Sequence, residues 1–116
     1  MKKPDIKRLK DYLYSRDDVL AAYIFGSLAA NKLGTASDID IAVLLGDSVK
    51  RNDYGSVKLD IITCLIKLLS FNAIDIVILN ISSPLLSHEV IKKGILLFSK
   101  DEKRRLGYTV KSTMRY

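Results

Sequence analysis

The segment that most restricts the fold is Asp38-Ile39-Asp40-Ile41-Ala42-Val43-Leu44, an aliphatic, β-branched run that begins with two aspartates one residue apart. Such a run reads as a strand, on which side chains two positions apart share a face, their roots roughly 6–7 Å apart. Asp38 and Asp40 therefore look one way and Ile39 the other. Neighbouring carboxylates repel unless a cation lies between them, and divalent magnesium with oxygen ligands is the usual partner where phosphates are also bound. Upstream, residues 19–25 read as another strand, which stops at Gly26-Ser27, and residues 28–31 can begin a helix there. A helix start presents free backbone N–H groups and the positive end of a dipole. The Ser27 hydroxyl adds a donor, and Gly26 lets the backbone come close to a phosphate.

The rest of the chain alternates helix and strand. Asp5 is placed to cap a helix whose apolar positions Ile6, Leu9 and Leu13 fall at helical spacing. Residues 46–55 form a polar loop, and Ser56 is placed to cap a helix over 57–71 with Val57, Ile61, Cys64, Leu65, Leu68 and Leu69 on its inner stripe. Asp75 opens a further strand among Ile74, Ile76 and Ile78. A carboxylate heading a buried strand costs solvation unless a metal or a basic group answers it. Ser83-Pro84 reads as the cap and first position of a helix over 84–93, with Gly94 as its stop, and residues 95–99 as a last short strand. The order implies an α/β (α+β) domain, a small mixed sheet of about four strands packed by helices. Residues 1–99 make up its main unit, and residues 100–116 a basic C-terminal helix or tail of the same domain.

At 116 residues the chain holds one core, not two. Nineteen Lys and Arg against thirteen acids give a net charge of +6, which suits an anionic partner such as a nucleoside triphosphate or an acidic protein surface. No basic groove interleaved with aromatics appears, so direct nucleic-acid binding is not expected. The apolar runs fall short of the ~20 residues of a membrane span. The basic amino terminus has no apolar block behind it, and Cys64, the one cysteine, has no disulfide partner in the chain. These features together read as a cytoplasmic chain with Cys64 buried as a small apolar residue. His88 alone is no zinc site.

Gly26, Ser27, Asp38 and Asp40 match the GS-x10-DxD signature of the polymerase-beta-like nucleotidyltransferases, and the segment 72–80 with Asp75 resembles the later strand that carries their third carboxylate. The likeness spans about residues 19–99, and the short chain resembles the minimal nucleotidyltransferases in particular. The resemblance implies nucleotidyl transfer from ATP. Asp38, Asp40 and Asp75 would be metal ligands for two magnesium ions, with Asp75 also the candidate base, and Gly26, Ser27, Ser37 and Lys32 would lie on the nucleotide. Relatives commonly carry basic residues shortly after the serine. Here Leu28 and Ala30 stand in those places and only Lys32 can substitute, a departure that bears on triphosphate affinity, while Asn31 stands where relatives end the short helix with Gly and can do that glycine's job. Minimal nucleotidyltransferases resemble the antitoxin half of two-gene toxin–antitoxin pairs. The implied partner is therefore a HEPN-type toxin ribonuclease from a neighbouring gene, silenced by transfer of AMP to a tyrosine hydroxyl. With no room for an acceptor domain, the acceptor site is expected on that partner. Two other readings stay open: an antitoxin that inhibits by covering its partner without catalysis, and nucleotidyl transfer to a small molecule or a nucleic-acid end.

Overall fold

The computed structural model describes residues 5–26 and 38–115, with side chains described to Lys111, so the expectations at Ser27, Leu28, Ala30, Asn31, Lys32 and Ser37 lie outside the described residues. Helix α1 (Ile6–Ser15) starts where the Asp5 carboxylate accepts from the Arg8 backbone N–H. Its Leu9 and Leu13 are fully buried, as the helical spacing requires. Two seven-residue strands follow among the described residues, β1 (Val19–Phe25) and β2 (Ile39–Leu45), paired antiparallel. Helix α2 (Tyr54–Leu69) leads to β3 (Ile74–Ile78), which pairs parallel to β2. Helix α3 (Pro84–Lys93) leads to β4 (Ile95–Ser99) on the other side of β1, and helix α4 (Glu102–Arg115) ends the chain. The sheet order is β3-β2-β1-β4, a four-stranded mixed sheet.

Strand periodicity divides the core in two. Ile39, Ile41 and Val43 of β2 and Ile74, Ile76 and Ile78 of β3 face α1 and α2, where Leu9, Leu13, Ile61, Leu65 and Leu69 cover them. The opposite face carries Ala21, Tyr23, Ala42 and Leu44, closed by Leu79, by Val90 of α3 and by Tyr108 of α4. The basic C-terminal segment is thus a docked helix. The Tyr108 hydroxyl donates to the Leu79 carbonyl at 3.0 Å and to Ser87 Oγ at 2.7 Å, and Arg105 donates to the Tyr23 hydroxyl at 3.1 Å. Among the described residues no helix is long and apolar enough to cross a membrane.

Three local expectations are corrected. Helix α2 begins at Tyr54, not at Val57, because a 3-10 turn over Arg51–Asp53 feeds straight into it, and Ser56 bonds back to the Asp53 carbonyl from inside the first turn instead of capping it. The helix also stops at Leu69, where Ser70 takes a left-handed conformation with φ of 50°. Cys64 is half-buried and lies against the Tyr12 hydroxyl, whose pKa burial and that neighbour push up to about 12. Gly94 ends α3 as expected but for another reason. Its φ of −76° suits any residue, yet a Cβ there would collide with the Val90 carbonyl oxygen and stand 3.1 Å from that of Ile24. Gly94→Ala is therefore expected to lower the unfolding free energy by about 1–3 kcal/mol, as overpacking against backbone does, read as an earlier midpoint in urea.

The end of α1 is tied down by a charged cluster around Arg16. Arg16 grips Asp18 with two bonds of 2.9 and 2.8 Å, reaches Asp60 of α2 at 2.6 Å and donates to the Tyr12 hydroxyl at 2.8 Å. The guanidinium holds the Asp18 carboxyl below the usual carboxylate range in spite of partial burial.

Candidate active site

Strand direction gathers the acids. β1 ends, and β2 and β3 begin, at the same end of the sheet, since β1 runs against β2 and β2 runs with β3. Asp40 is the second residue of β2 and pairs in register with Asp75, the second residue of β3, while Phe25 pairs with Asp40 from β1. Alternation turns Asp40 and Asp75 toward the α3 side, away from the Ile39–Ile74 pair that enters the core. Asp38 lies two residues before Asp40, just outside the start of β2, and near enough for its charge to be felt there. Asp38 and Asp75 are exposed, and Asp40 is half-buried. Burial raises the Asp40 carboxyl above its ordinary value of 3.8, and repulsion from Asp75 and then Asp38 adds to it. The three acids therefore form one electrostatic unit.

Among the described residues no Lys or Arg forms an ion pair with any of the three. An all-oxygen, multiply negative donor set fits a hard divalent cation such as magnesium. Among the described residues no three His, Cys, Asp or Glu side chains stand close enough together to hold a metal ion by themselves. The fit thus rests on donor chemistry and charge.

Gly26 joins the two halves of the motif. Its φ is +77°, and a Cβ built on it would collide with Asp40 Oδ2 and lie 3.2 Å from Asp40 Cγ. The carboxylate occupies the space that any larger residue would fill. This contact was not visible in the sequence, where the glycine looked like a place for phosphate alone.

Two cavities flank the acids, and Leu86 of α3 lines both. The larger, about 520 Å³, is bounded by Phe25, Gly26, Leu86, Glu89 and Lys93. The smaller, about 250 Å³, is bounded by Tyr54, Lys58, Asp75, Val77, Ile81 and Leu86 among others. Lys58 and Lys93 are thus brought to the site by α2 and α3. In the sequence both are ordinary polar positions of amphipathic helices, and only the helix-on-sheet packing singles them out. A further cavity of about 260 Å³, beside the Arg104–Asp47 ion pair, lies at the opposite end of the sheet, near the start of β1.

The sequence profile of the family described as polymerase beta, nucleotidyltransferase matches residues 7–103. The chain belongs to this nucleotidyltransferase family. Among curated proteins no sequence matches significantly. Solved structures do. A mutant form of the MntA toxin–antitoxin complex is 28% identical with a TM-score of 0.70, the match covering 96% of this chain and 81% of that one. A toxin–antitoxin structure with AMP-PNP is 26% identical with a TM-score of 0.67, covering 96% and 82%. The tri-AMPylated Shewanella oneidensis HEPN toxin in complex with its MNT antitoxin has a TM-score of 0.68 over 95% of this chain and 85% of that one, and at 22% identity it speaks for the fold.

Proposed function

We propose that this nucleotidyltransferase is an antitoxin that acts in the cytoplasm and transfers AMP from ATP to a tyrosine hydroxyl of a HEPN-type toxin encoded beside it. The observation that carries the reading is the parallel register that sets Asp75 opposite Asp40, next to Asp38, with Gly26 against the Asp40 carboxylate. The family membership and the 26–28% identical toxin–antitoxin structures, one with AMP-PNP, support it.

Asp38, Asp40 and Asp75 would hold the two magnesium ions, which when bound supply neutralisation of phosphate charge and acidification of the acceptor hydroxyl. The Gly26 backbone and the Ser27 hydroxyl would hold the β- and γ-phosphates, with Ser37 and Lys32 beside them. The acceptor oxygen bonds to the α-phosphorus, the bond from that phosphorus to the bridging oxygen breaks, and pyrophosphate leaves. Asp75, which is exposed, would take the proton of the incoming hydroxyl. Asp40, less exposed and crowded by two other acids, stays in place as the anchor of the group.

Incubating the chain with ATP, magnesium and the toxin of the neighbouring gene is expected to add AMP-sized mass increments to toxin tyrosines and to stop RNA cleavage. Full inhibition of a toxin that stays unmodified would replace this reading with the covering one, which Leu28 and Ala30 favour by standing where relatives carry basic residues.

A further inference from the structure

The smaller cavity has features that metal and nucleotide do not use. It lies beside Asp75 between the first turns of α2 and α3, and its walls are Tyr54, Val77, Ile81 and Leu86, with Lys58 as its one cation. At about 250 Å³ it falls below the ~300–1,000 Å³ typical of pockets for whole small-molecule ligands and suits a single side chain. Lys58 is half-buried, and among the described residues it makes no ion pair or side-chain hydrogen bond. The Lys58 ammonium is therefore available to an anionic or polar group from outside the chain. The larger cavity is lined by Gly26, which stands against Asp40, and the smaller by Asp75, with Leu86 lining both.

We propose, building on the function proposed above, that the smaller cavity is the acceptor subsite and is shaped for a phenol ring, with Tyr54, Val77, Ile81 and Leu86 against the ring and Lys58 beside its oxygen. The ring buries apolar area, and its hydroxyl meets Asp75 at the edge of the cavity. Asp75 accepts the phenolic proton as the oxygen bonds to the α-phosphorus and pyrophosphate departs, and the Lys58 charge favours the electron-rich oxygen through that step. Serine and threonine side chains gain no ring burial there. Ile81, 48% exposed, and Leu85, 55% exposed, leave an apolar border that residues flanking the tyrosine on a partner protein can cover.

The test uses the full chain with magnesium and AMP-PNP, and N-acetyltyrosinamide as probe. Backbone amide NMR shifts are expected to gather at Tyr54, Lys58, Val77 and Leu86, and N-acetylserinamide is expected to leave them unmoved. Lys58→Gln is expected to lower the kcat of AMP transfer to the toxin about 10- to 100-fold with AMP-PNP affinity unchanged, and Lys58→Arg to restore most of the rate. Probe shifts elsewhere on the surface, or transfer by Lys58→Gln at the wild-type rate, would overturn the subsite. Probe binding needs no transfer, so the two proposals fail separately. A chain that seats the phenol but modifies no toxin loses the proposed activity and keeps the subsite. One that modifies the toxin while the probe binds elsewhere loses the subsite and keeps the activity.

Discussion

Asp40→Ala is expected to reduce AMP transfer at least about a thousandfold while leaving the chain folded, and Asp40→Asn to do the same while making the chain more stable than the wild type in buffer without divalent cation. The two effects share a cause. Asp40 stands in register with Asp75 and two residues from Asp38, so it is the member of the trio that both others repel. Partial burial and that repulsion hold its carboxyl above the ordinary value of 3.8. Between the ordinary and the raised value the folded chain binds more protons than the unfolded one, so stability falls as pH rises through that window and stays reduced at neutral pH. Asparagine removes the charge at nearly constant shape. The expected gain at pH 7 is about 0.5–2 kcal/mol, the usual scale for relieving a site kept under strain for function. Urea unfolding with chelator measures it. Adding magnesium reverses the order, because the wild type gains binding free energy that the asparagine variant has largely lost. A variant that transfers AMP at the wild-type rate would end the catalytic reading, and a chain that loses transfer yet still silences its toxin would favour inhibition by covering.

How much of this was legible from the residues depends on how far apart the interacting groups lie. The β2 strand could be read because its aliphatic period of two is unbroken, and the same period puts Asp38 and Asp40 on one face. The caps at Asp5 and Ser83 could be read because the donors they satisfy, on Arg8 and Leu86, are three residues away. Asp75 was singled out by its likeness to a family strand, but its pairing with Asp40 is a matter of parallel register across 35 residues, which no local pattern encodes. The contact between Gly26 and Asp40, the hold of Arg16 on Asp60, and the cavity made by Tyr54 and Lys58 with Asp75 are all products of packing between distant elements. The start of α2 was misplaced for a different reason. A 3-10 turn at Arg51–Asp53 continues smoothly into an α-helix, and the Ser56 that resembles a cap bonds backward inside it. Gly94 was read through the commonest use of glycine after a helix, whereas its carbonyl neighbours decide its identity.

Gly26→Ala is expected to lose both stability and transfer, and this combination separates it from the Asp40 variants. The backbone cost comes from φ at +77°, where a Cβ meets its own carbonyl; such strain is worth about 1–3 kcal/mol. The second cost comes from the Asp40 carboxylate, whose Oδ2 occupies the position of the new methyl and whose Cγ and Cβ lie 3.2 and 3.4 Å from it. Because the atom in the way is the end of a rotatable side chain, the carboxylate swings aside and the chain still folds. A displaced ligand of about an ångström is enough to cost on the order of a hundredfold in rate. The double variant Gly26→Ala with Asp40→Ala isolates the two costs, since removing the carboxylate leaves room for the methyl and leaves only the backbone term. Its unfolding free energy is expected to exceed that of Gly26→Ala alone. Additive stability effects, or transfer by Gly26→Ala at the wild-type rate, would mean that the glycine is not what holds the Asp40 carboxylate in place.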